Sequence, residues 1–119
     1  RGTPRVEAAL RRGSLAAVFP CENRTEITAE ATDDGNYVVR AISSCEKAHR
    51  YVEGLGPLSL IDLTDKAGSK VFRDFLNGDM SANCLLPSGV MTALWVEAGM
   101  IARSMARKGV PLSIEFVEG

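Results

Sequence analysis

The residues of this chain with the clearest chemical potential are its three cysteines, Cys21, Cys45 and Cys84. Cys84 stands just ahead of the longest helical pattern in the sequence, and Cys45 stands at the start of a shorter one. Backbone N–H groups at a helix N-terminus stabilise a thiolate, the form of cysteine that binds metal or attacks sulfur. Three thiolates with one further ligand can hold tetrahedral zinc or one side of an iron–sulfur cluster.

The cysteine spacings leave two other interpretations open. No interval is a Cys-x-x-Cys pair, the spacing that most strongly indicates a metal site. Isolated cysteines commonly behave as small buried hydrophobic residues, so a structural or protein-interaction domain with buried cysteines is the main alternative. A third hypothesis is a redox sensor with a Cys21–Cys45 disulfide, which requires their Cα atoms to lie within roughly 7 Å.

Few other side chains offer chemistry. His49 is the only histidine and follows Cys45 by four residues, so it could face the same site. The sequence shows no Ser-His-Asp set and no pair of carboxylates with catalytic spacing, which favours a non-enzymatic role. Four scattered aspartates lack the spacing of a calcium loop and are expected to be solvated: Asp62, Asp65, Asp74 and Asp79.

Composition limits the class of protein. The chain has 119 residues and a formal net charge of −1, which predicts one domain over residues 15–119 behind an N-terminal arm over residues 1–14. The absence of a basic excess argues against nucleic acid as a partner, whereas a protein partner is compatible with the composition. No apolar run is long enough to span a bilayer. An odd number of cysteines favours reduced thiols in the cytoplasm.

The order of elements predicts an α+β fold with helices covering one face of a small antiparallel sheet. Residues 24–32 alternate apolar and polar side chains, a hairpin signal follows at residues 33–36, and residues 36–43 are rich in β-formers. Ser43 and Glu46 fit a capping box for a short helix. Residues 58–68 are ambiguous between strand and loop, and residues 69–76 form a second short helix. The remaining predicted elements are a long helix ending at Gly109 and a closing strand over residues 112–116.

The hairpin gives an estimate of how close two of the thiols lie. If Asp34 and Gly35 form the loop, Arg24 opposes Cys45 across the pair of strands. Cys21 then lies three residues further along, roughly 10 Å away at about 3.3 Å per residue. Cys21 and Cys45 are therefore expected at the same end of the sheet, whereas local geometry does not place Cys84.

The segment from Cys21 to Ile27, Ser44-Cys45 and Asn83-Cys84 ahead of a helix resemble the three cysteine segments of the iron–sulfur cluster assembly scaffold fold. The resemblance covers roughly residues 18–107 and implies ligation of a cluster, zinc or sulfur by the three cysteines. Asn23 stands where the scaffold family carries an aspartate, and Asn83 stands where it usually carries a histidine. Both amides are therefore auxiliary candidates, together with His49.

A second resemblance rests on longer stretches of sequence. Residues 25–30, residues 42–46, Cys84-x-x-Pro87, residues 96–99 and residues 110–114 are similar to a family of small three-cysteine proteins from anaerobic microbes. That family has no assigned activity. The resemblance implies the fold and the cysteine site and leaves the function open.

Overall fold

The computed structural model describes residues 14–18, 23–101, 104, 108 and 117, with the backbone alone at residues 14–18. Three features expected from the sequence lie outside these residues: Cys21, most of the N-terminal arm, and the closing strand over residues 112–116. Within them the chain is an α+β fold, as expected, with a three-stranded sheet and four helices.

The sheet is antiparallel, with strand order β1-β2-β3 and bounds β1 (Ser14–Val18), β2 (Arg24–Ala31) and β3 (Tyr37–Ser43). Side chains of β2 and β3 alternate between buried and accessible, so one face of these strands lies against the core. Thr25, Ile27 and Ala29 of β2 are fully buried, whereas Ala31 is exposed. The alternation breaks at Ala31 because β2 ends there.

The hairpin between β2 and β3 differs by one residue from the expected register. Thr32 and Asn36 close the turn through a 2.8 Å hydrogen bond from the Thr32 N–H to the Asn36 carbonyl, so residues 33–35 form a three-residue loop. Gly35 has φ +85°, which glycine tolerates best. Thr25 therefore pairs with Ser43, and Arg24 bonds to Ser44 rather than facing Cys45. Continued by one residue, this register puts Cys45 across from Asn23.

The described residues form four helices: α1 (Glu46–Glu53), α2 (Leu60–Thr64), α3 (Lys70–Leu76) and α4 (Leu86–Glu97). Helix α1 packs on β3, α4 packs on β2 and β1, and α2 and α3 pack against α4. The ambiguous segment resolves into two parts, because Leu58 forms an isolated bridge with Tyr37 and α2 follows at once. Helix α3 matches the helix expected over residues 69–76 except that Ser69 is its N-cap, and Leu76 at its C-terminal end is 81% exposed.

The predicted capping box at Ser43 is wrong. Ser43 is the last residue of β3, and its hydroxyl bonds to the Thr25 hydroxyl at 2.7 Å and accepts the Cys45 N–H at 3.0 Å. Cys45 is therefore the N-cap of α1. The capping box of this chain lies at α2, where Ser59 and Asp62 bond reciprocally.

The long C-terminal helix is shorter than its apolar pattern predicts. Helix α4 ends at Glu97, and Gly99 adopts φ +78°, the left-handed conformation typical of the residue that follows a helix. Ser104 is helical again and accepts the Lys108 N–H at 3.0 Å. The single long helix expected to end at Gly109 is thus interrupted at Gly99.

Side-chain hydrogen bonds tie the layers together. The Tyr51 hydroxyl donates to the Val71 carbonyl at 2.6 Å, and the Trp95 indole donates to the Leu63 carbonyl at 2.9 Å. Glu53 and Glu97, at the ends of α1 and α4, accept backbone N–H groups of the sheet from Ala41 and Ala31. These bonds fix α1 against α3, α2 against α4, and two helix C-termini against the strands. None of the helices in the described residues has the length and apolar character needed to cross a bilayer.

Candidate functional site

Cys45 lies at the junction of β3 and α1. Its backbone is extended, with φ −103° and ψ 117°, because it is still leaving the strand as the helix begins. Its carbonyl accepts the His49 N–H at 3.1 Å, and its side chain makes no capping hydrogen bond. The thiol is half-buried against the hydrophobic core. Cys45 is thus at the helix start, as the sequence predicted, although it is the N-cap and not the second helical residue that the capping box at Ser43 implied.

Cys84 lies two residues before α4, in the segment that joins α3 to α4. Its N–H donates to the Ser81 carbonyl at 3.1 Å, which closes a turn over residues 81–84. The thiol is also half-buried against the same core. The predicted position of Cys84 ahead of the C-terminal helix is confirmed.

Tyr51 of α1 connects the two cysteine segments. Burial raises the pKa of its phenol well above the usual range, and the nearby negative charges of Asp74 and Cys84 raise the pKa further. Phe75 of α3 packs edge-on against the Tyr51 ring, with the ring centroids 6.2 Å apart.

The segment before Cys84 also contacts α1. Arg50 forms an ion pair with Asp79 at 3.6 Å, and the Lys47 ammonium reaches the Asp79 carbonyl at 3.5 Å. A cleft of about 220 Å³ lies between the segment and the helix, lined in part by Tyr51 and Met80. This volume is below the range of ordinary small-molecule pockets.

The auxiliary candidates occupy different environments. Asn23 is half-buried, and its side-chain oxygen accepts the Ser44 hydroxyl at 3.0 Å. Its amide therefore braces the start of β2 against the residue before Cys45. Asn83 and His49 are exposed, so both side chains remain accessible to solvent next to their cysteines.

The described residues contain no group of three or more histidine, cysteine or carboxylate side chains that could hold a metal ion. Cys45 and Cys84 provide two of the three predicted thiols, and Cys21 lies outside the part of the chain that the structure describes. The three-cysteine site expected from the sequence therefore stays a prediction.

The interpretation of the four aspartates as solvated was incomplete. Asp62 accepts hydrogen bonds from Ser59 and Lys70, and Asp74 pairs with Lys70 at 2.6 Å. The pattern Ser59-x-x-Asp62 is a capping-box signature, and Lys70 and Asp74 have the i,i+4 spacing of a helical ion pair, so both contacts were accessible from sequence. The contact of Asp79 with α1 had no comparable sequence signal, because it joins distant elements.

Comparison with known proteins provides a family and no activity. Residues 17–108 match the family of unknown function DUF6951. No curated protein and no solved structure matches the chain. The expected relation to an uncharacterised family is confirmed, whereas the scaffold resemblance has no support from these comparisons.

Proposed function

The chain belongs to the family of unknown function DUF6951, and we propose that it binds zinc, an iron–sulfur cluster or sulfur through Cys21, Cys45 and Cys84. In this proposal the three thiolates act as ligands or as a transient sulfur carrier, and the protein does not turn over a substrate. The proposal includes a cytoplasmic location, where thiols stay reduced.

The observation that carries the proposal is the shared relation of two thiols to α1. Cys45 is the N-cap of this helix, and the segment that carries Cys84 contacts the same helix through the ion pair between Asp79 and Arg50. Sequence separation alone would leave the two cysteines independent. In the fold both cysteines pack against one hydrophobic core, and both are half-buried.

Cys45 lies where β3 ends and α1 begins, and its thiol is half-buried there. The corrected hairpin register also puts Cys45 across from Asn23, which is two residues from Cys21 in sequence rather than three. This change shortens the sequence estimate of the Cys21–Cys45 interval.

Three thiolates leave the fourth position of a tetrahedral zinc site for another ligand. His49 is exposed one helical turn after Cys45 and is the histidine available to fill it. An unfilled fourth position would suit transfer, because an incoming ligand could bind there. If the cargo is sulfur, a cysteine thiolate attacks the outer sulfur of a donor persulfide, a new S–S bond forms, and the donor thiolate leaves.

A second candidate function is a structural or protein-interaction domain in which the cysteines fill space. The packing of Cys45 and Cys84 against the buried cluster favours this alternative. It predicts that replacing the cysteines changes only the free energy of unfolding and removes no ligand.

Cobalt substitution distinguishes the two candidates. We expect Co²⁺ added anaerobically to the wild-type chain to give thiolate-to-metal charge-transfer absorption and the d–d bands of a tetrahedral site. Single replacements Cys21→Ser, Cys45→Ser and Cys84→Ser should each weaken these bands, whereas Asp33→Asn at the exposed hairpin loop should not. His49→Asn reports whether the imidazole is the fourth ligand. Absence of charge-transfer absorption in a folded wild-type protein would favour the structural role.

A further inference from the structure

Strand β3 is an edge strand within the described part of the chain, where β2 is its one strand neighbour. At the turn, the Thr32 N–H donates to the Asn36 carbonyl, so these two residues form a hydrogen-bonded pair. Such pairs alternate along an antiparallel ladder, so the even-numbered residues of β3 bond to β2. The backbone N–H and carbonyl groups of Tyr37, Val39 and Ala41 therefore point to the outer edge, where an added strand would need them.

Two contacts occupy this outer edge. Tyr37 exchanges both backbone hydrogen bonds with Leu58, at 2.8 and 2.7 Å. The Ala41 N–H donates to the Glu53 carboxylate at 3.2 Å. The carboxylate oxygen thus lies where the carbonyl of a neighbouring strand would accept the same N–H. With both positions taken, residues 37–41 cannot form a regular ladder with a further strand, whether it belongs to this chain or to another.

Buried residues on either side hold Glu53 beside the strand. Glu53 is the last residue of α1, which packs on β3. Val52 before it and Leu55 after it are fully buried, and Leu58 is buried where the chain returns to Tyr37. Packing therefore fixes the backbone at this position, while the Glu53 side chain itself is exposed and reaches the edge. Shortening that side chain opens the edge without removing a buried group from the core.

The sequence of β3 favours pairing with another strand. Residues 37–43 read Tyr-Val-Val-Arg-Ala-Ile-Ser, which is rich in β-formers and carries one charge, at Arg40. Ile42 is 60% exposed, so a strand added at this edge would bury apolar surface against it. Short segments with high β-propensity and low charge pair with copies of themselves when an edge is open. The same edge of a second copy, related by a two-fold axis, is therefore the partner that an open β3 fits.

We infer that the Glu53 carboxylate closes the β3 edge and keeps two copies of the chain from joining their sheets. While Glu53 accepts the Ala41 N–H, the edge lacks one of the donors that a ladder needs. When the carboxylate is withdrawn, the edge is free over Val39 and Ala41, and two β3 strands pair antiparallel into one continuous sheet. This pairing uses no cysteine, so the inference goes beyond the proposed function and does not depend on it.

Sedimentation velocity of Glu53 variants over a concentration series tests the inference. Glu53→Gln keeps a carbonyl acceptor and should sediment like the wild type at every concentration. Glu53→Ala should associate at about 30-fold lower concentration than the wild type, because pairing no longer costs each copy one hydrogen bond of ordinary strength. Glu53→Asp keeps the charge but withdraws the carboxylate by one methylene, so it should associate as well. It also decides the question if Glu53→Ala does not fold.

Hydrogen exchange locates the new contact. In dilute Glu53→Ala the Ala41 amide should exchange faster than in the wild type, because it has lost its acceptor. As the protein concentration rises, its exchange should slow again, because the second copy supplies a carbonyl. The Arg40 amide bonds to β2 and provides the internal reference, which should not change with concentration.

A matched control separates an open edge from lost stability. Asp62→Ala removes hydrogen bonds at two helix starts and leaves the contact of Glu53 with Ala41 in place, so it should not associate. Association of Asp62→Ala or Glu53→Gln at the same concentration as Glu53→Ala would overturn the inference. Wild-type sedimentation of both folded open variants, Glu53→Ala and Glu53→Asp, would also overturn it. So would association of Glu53→Ala without renewed protection of the Ala41 amide, because the contact would then lie elsewhere.

Discussion

Removal of the Asp62 carboxylate should destabilise two helix starts at once. Its Oδ2 accepts the Ser59 N–H at 2.9 Å and the Ser59 hydroxyl at 3.2 Å, whereas its Oδ1 accepts the Lys70 N–H at 2.9 Å. Ser59 is the N-cap of α2, and Lys70 is the first residue of α3. Since one lost cap costs about 1 kcal/mol, we expect Asp62→Ala to lower the free energy of unfolding by about 2 kcal/mol.

The size of this effect makes it measurable by urea or thermal unfolding. For a domain of this size, ~2 kcal/mol corresponds to a fall in Tm of roughly 8 °C. Asp62→Asn keeps one carbonyl acceptor and should cost about half as much. Asp65→Asn is the matched control, because it removes a nearby exposed carboxylate whose side chain forms no hydrogen bond or ion pair with the described residues. Equal unfolding free energies for the two Asn variants at pH 7 would refute the reasoning.

The pH dependence of the loss of unfolding free energy in Asp62→Asn provides a second check. Burial raises the pKa of Asp62, but the hydrogen bonds from Lys70 and Ser59 outweigh it, so the pKa is lowered overall. A carboxyl with a lowered folded-state pKa contributes stability above its unfolded pKa of about 3.9, and loses it as the pH falls through the folded value. The difference between wild type and Asp62→Asn should therefore be full at pH 7 and shrink below about pH 4. A difference in unfolding free energy that stays constant over this pH range would contradict the lowered pKa of Asp62.

Two further stability predictions concern backbone positions. Gly99→Ala should lower the free energy of unfolding in urea by about 1–2 kcal/mol, because an L-residue is strained at φ +78° although an added Cβ meets no atom within 4 Å. Gly99→Asn should cost less, because asparagine tolerates this backbone conformation. Equal costs for the two variants would refute a backbone origin. Glu53→Ala should lower the free energy of unfolding by about 1–2 kcal/mol, because it leaves the partly buried Ala41 N–H without its acceptor. Glu53→Gln should retain most of the stability. No difference between the two variants would show that the hydrogen bond contributes nothing.

Local patterns predicted the elements well where one signal dominated. The hairpin strands were found because their alternation and β-forming residues had no competing interpretation. Residues 33–35 were harder, since Asp33-Asp34-Gly35 fits both a two-residue and a three-residue loop. The structure has the three-residue loop, which shifts the register by one residue, so Cys45 lies across from Asn23 and not from Arg24.

Other expectations failed where tertiary contacts override a local motif. Ser43 could cap a helix by its sequence pattern, but pairing with Thr25 keeps it in β3 and its hydroxyl is used there. The apolar stripe of α4 continues in sequence past Gly99, so periodicity gave no reason to stop the helix earlier. The positive φ of Gly99 ends helix α4, and the periodicity of apolar residues carries no information about a backbone angle.

The candidate site was predictable in part for the same reason. The placement of Cys45 and Cys84 at helix starts follows from local patterns, and the structure bears it out. The relation of Cys84 to Tyr51, and of Asp79 to α1, joins residues far apart in sequence. Only packing reveals such contacts, and they are what brings the two thiol segments to one helix.

X-ray absorption at the metal edge most directly tests the claim that the three cysteine thiolates bind one metal ion. The protein is purified anaerobically and loaded with one equivalent of Zn²⁺, and the extended fine structure counts the atoms bound to zinc. We predict three sulfur atoms at about 2.3 Å, falling to two in Cys45→Ser or Cys84→Ser. Zinc bound only by nitrogen and oxygen at about 2.0–2.2 Å, or not bound at all, would contradict the account.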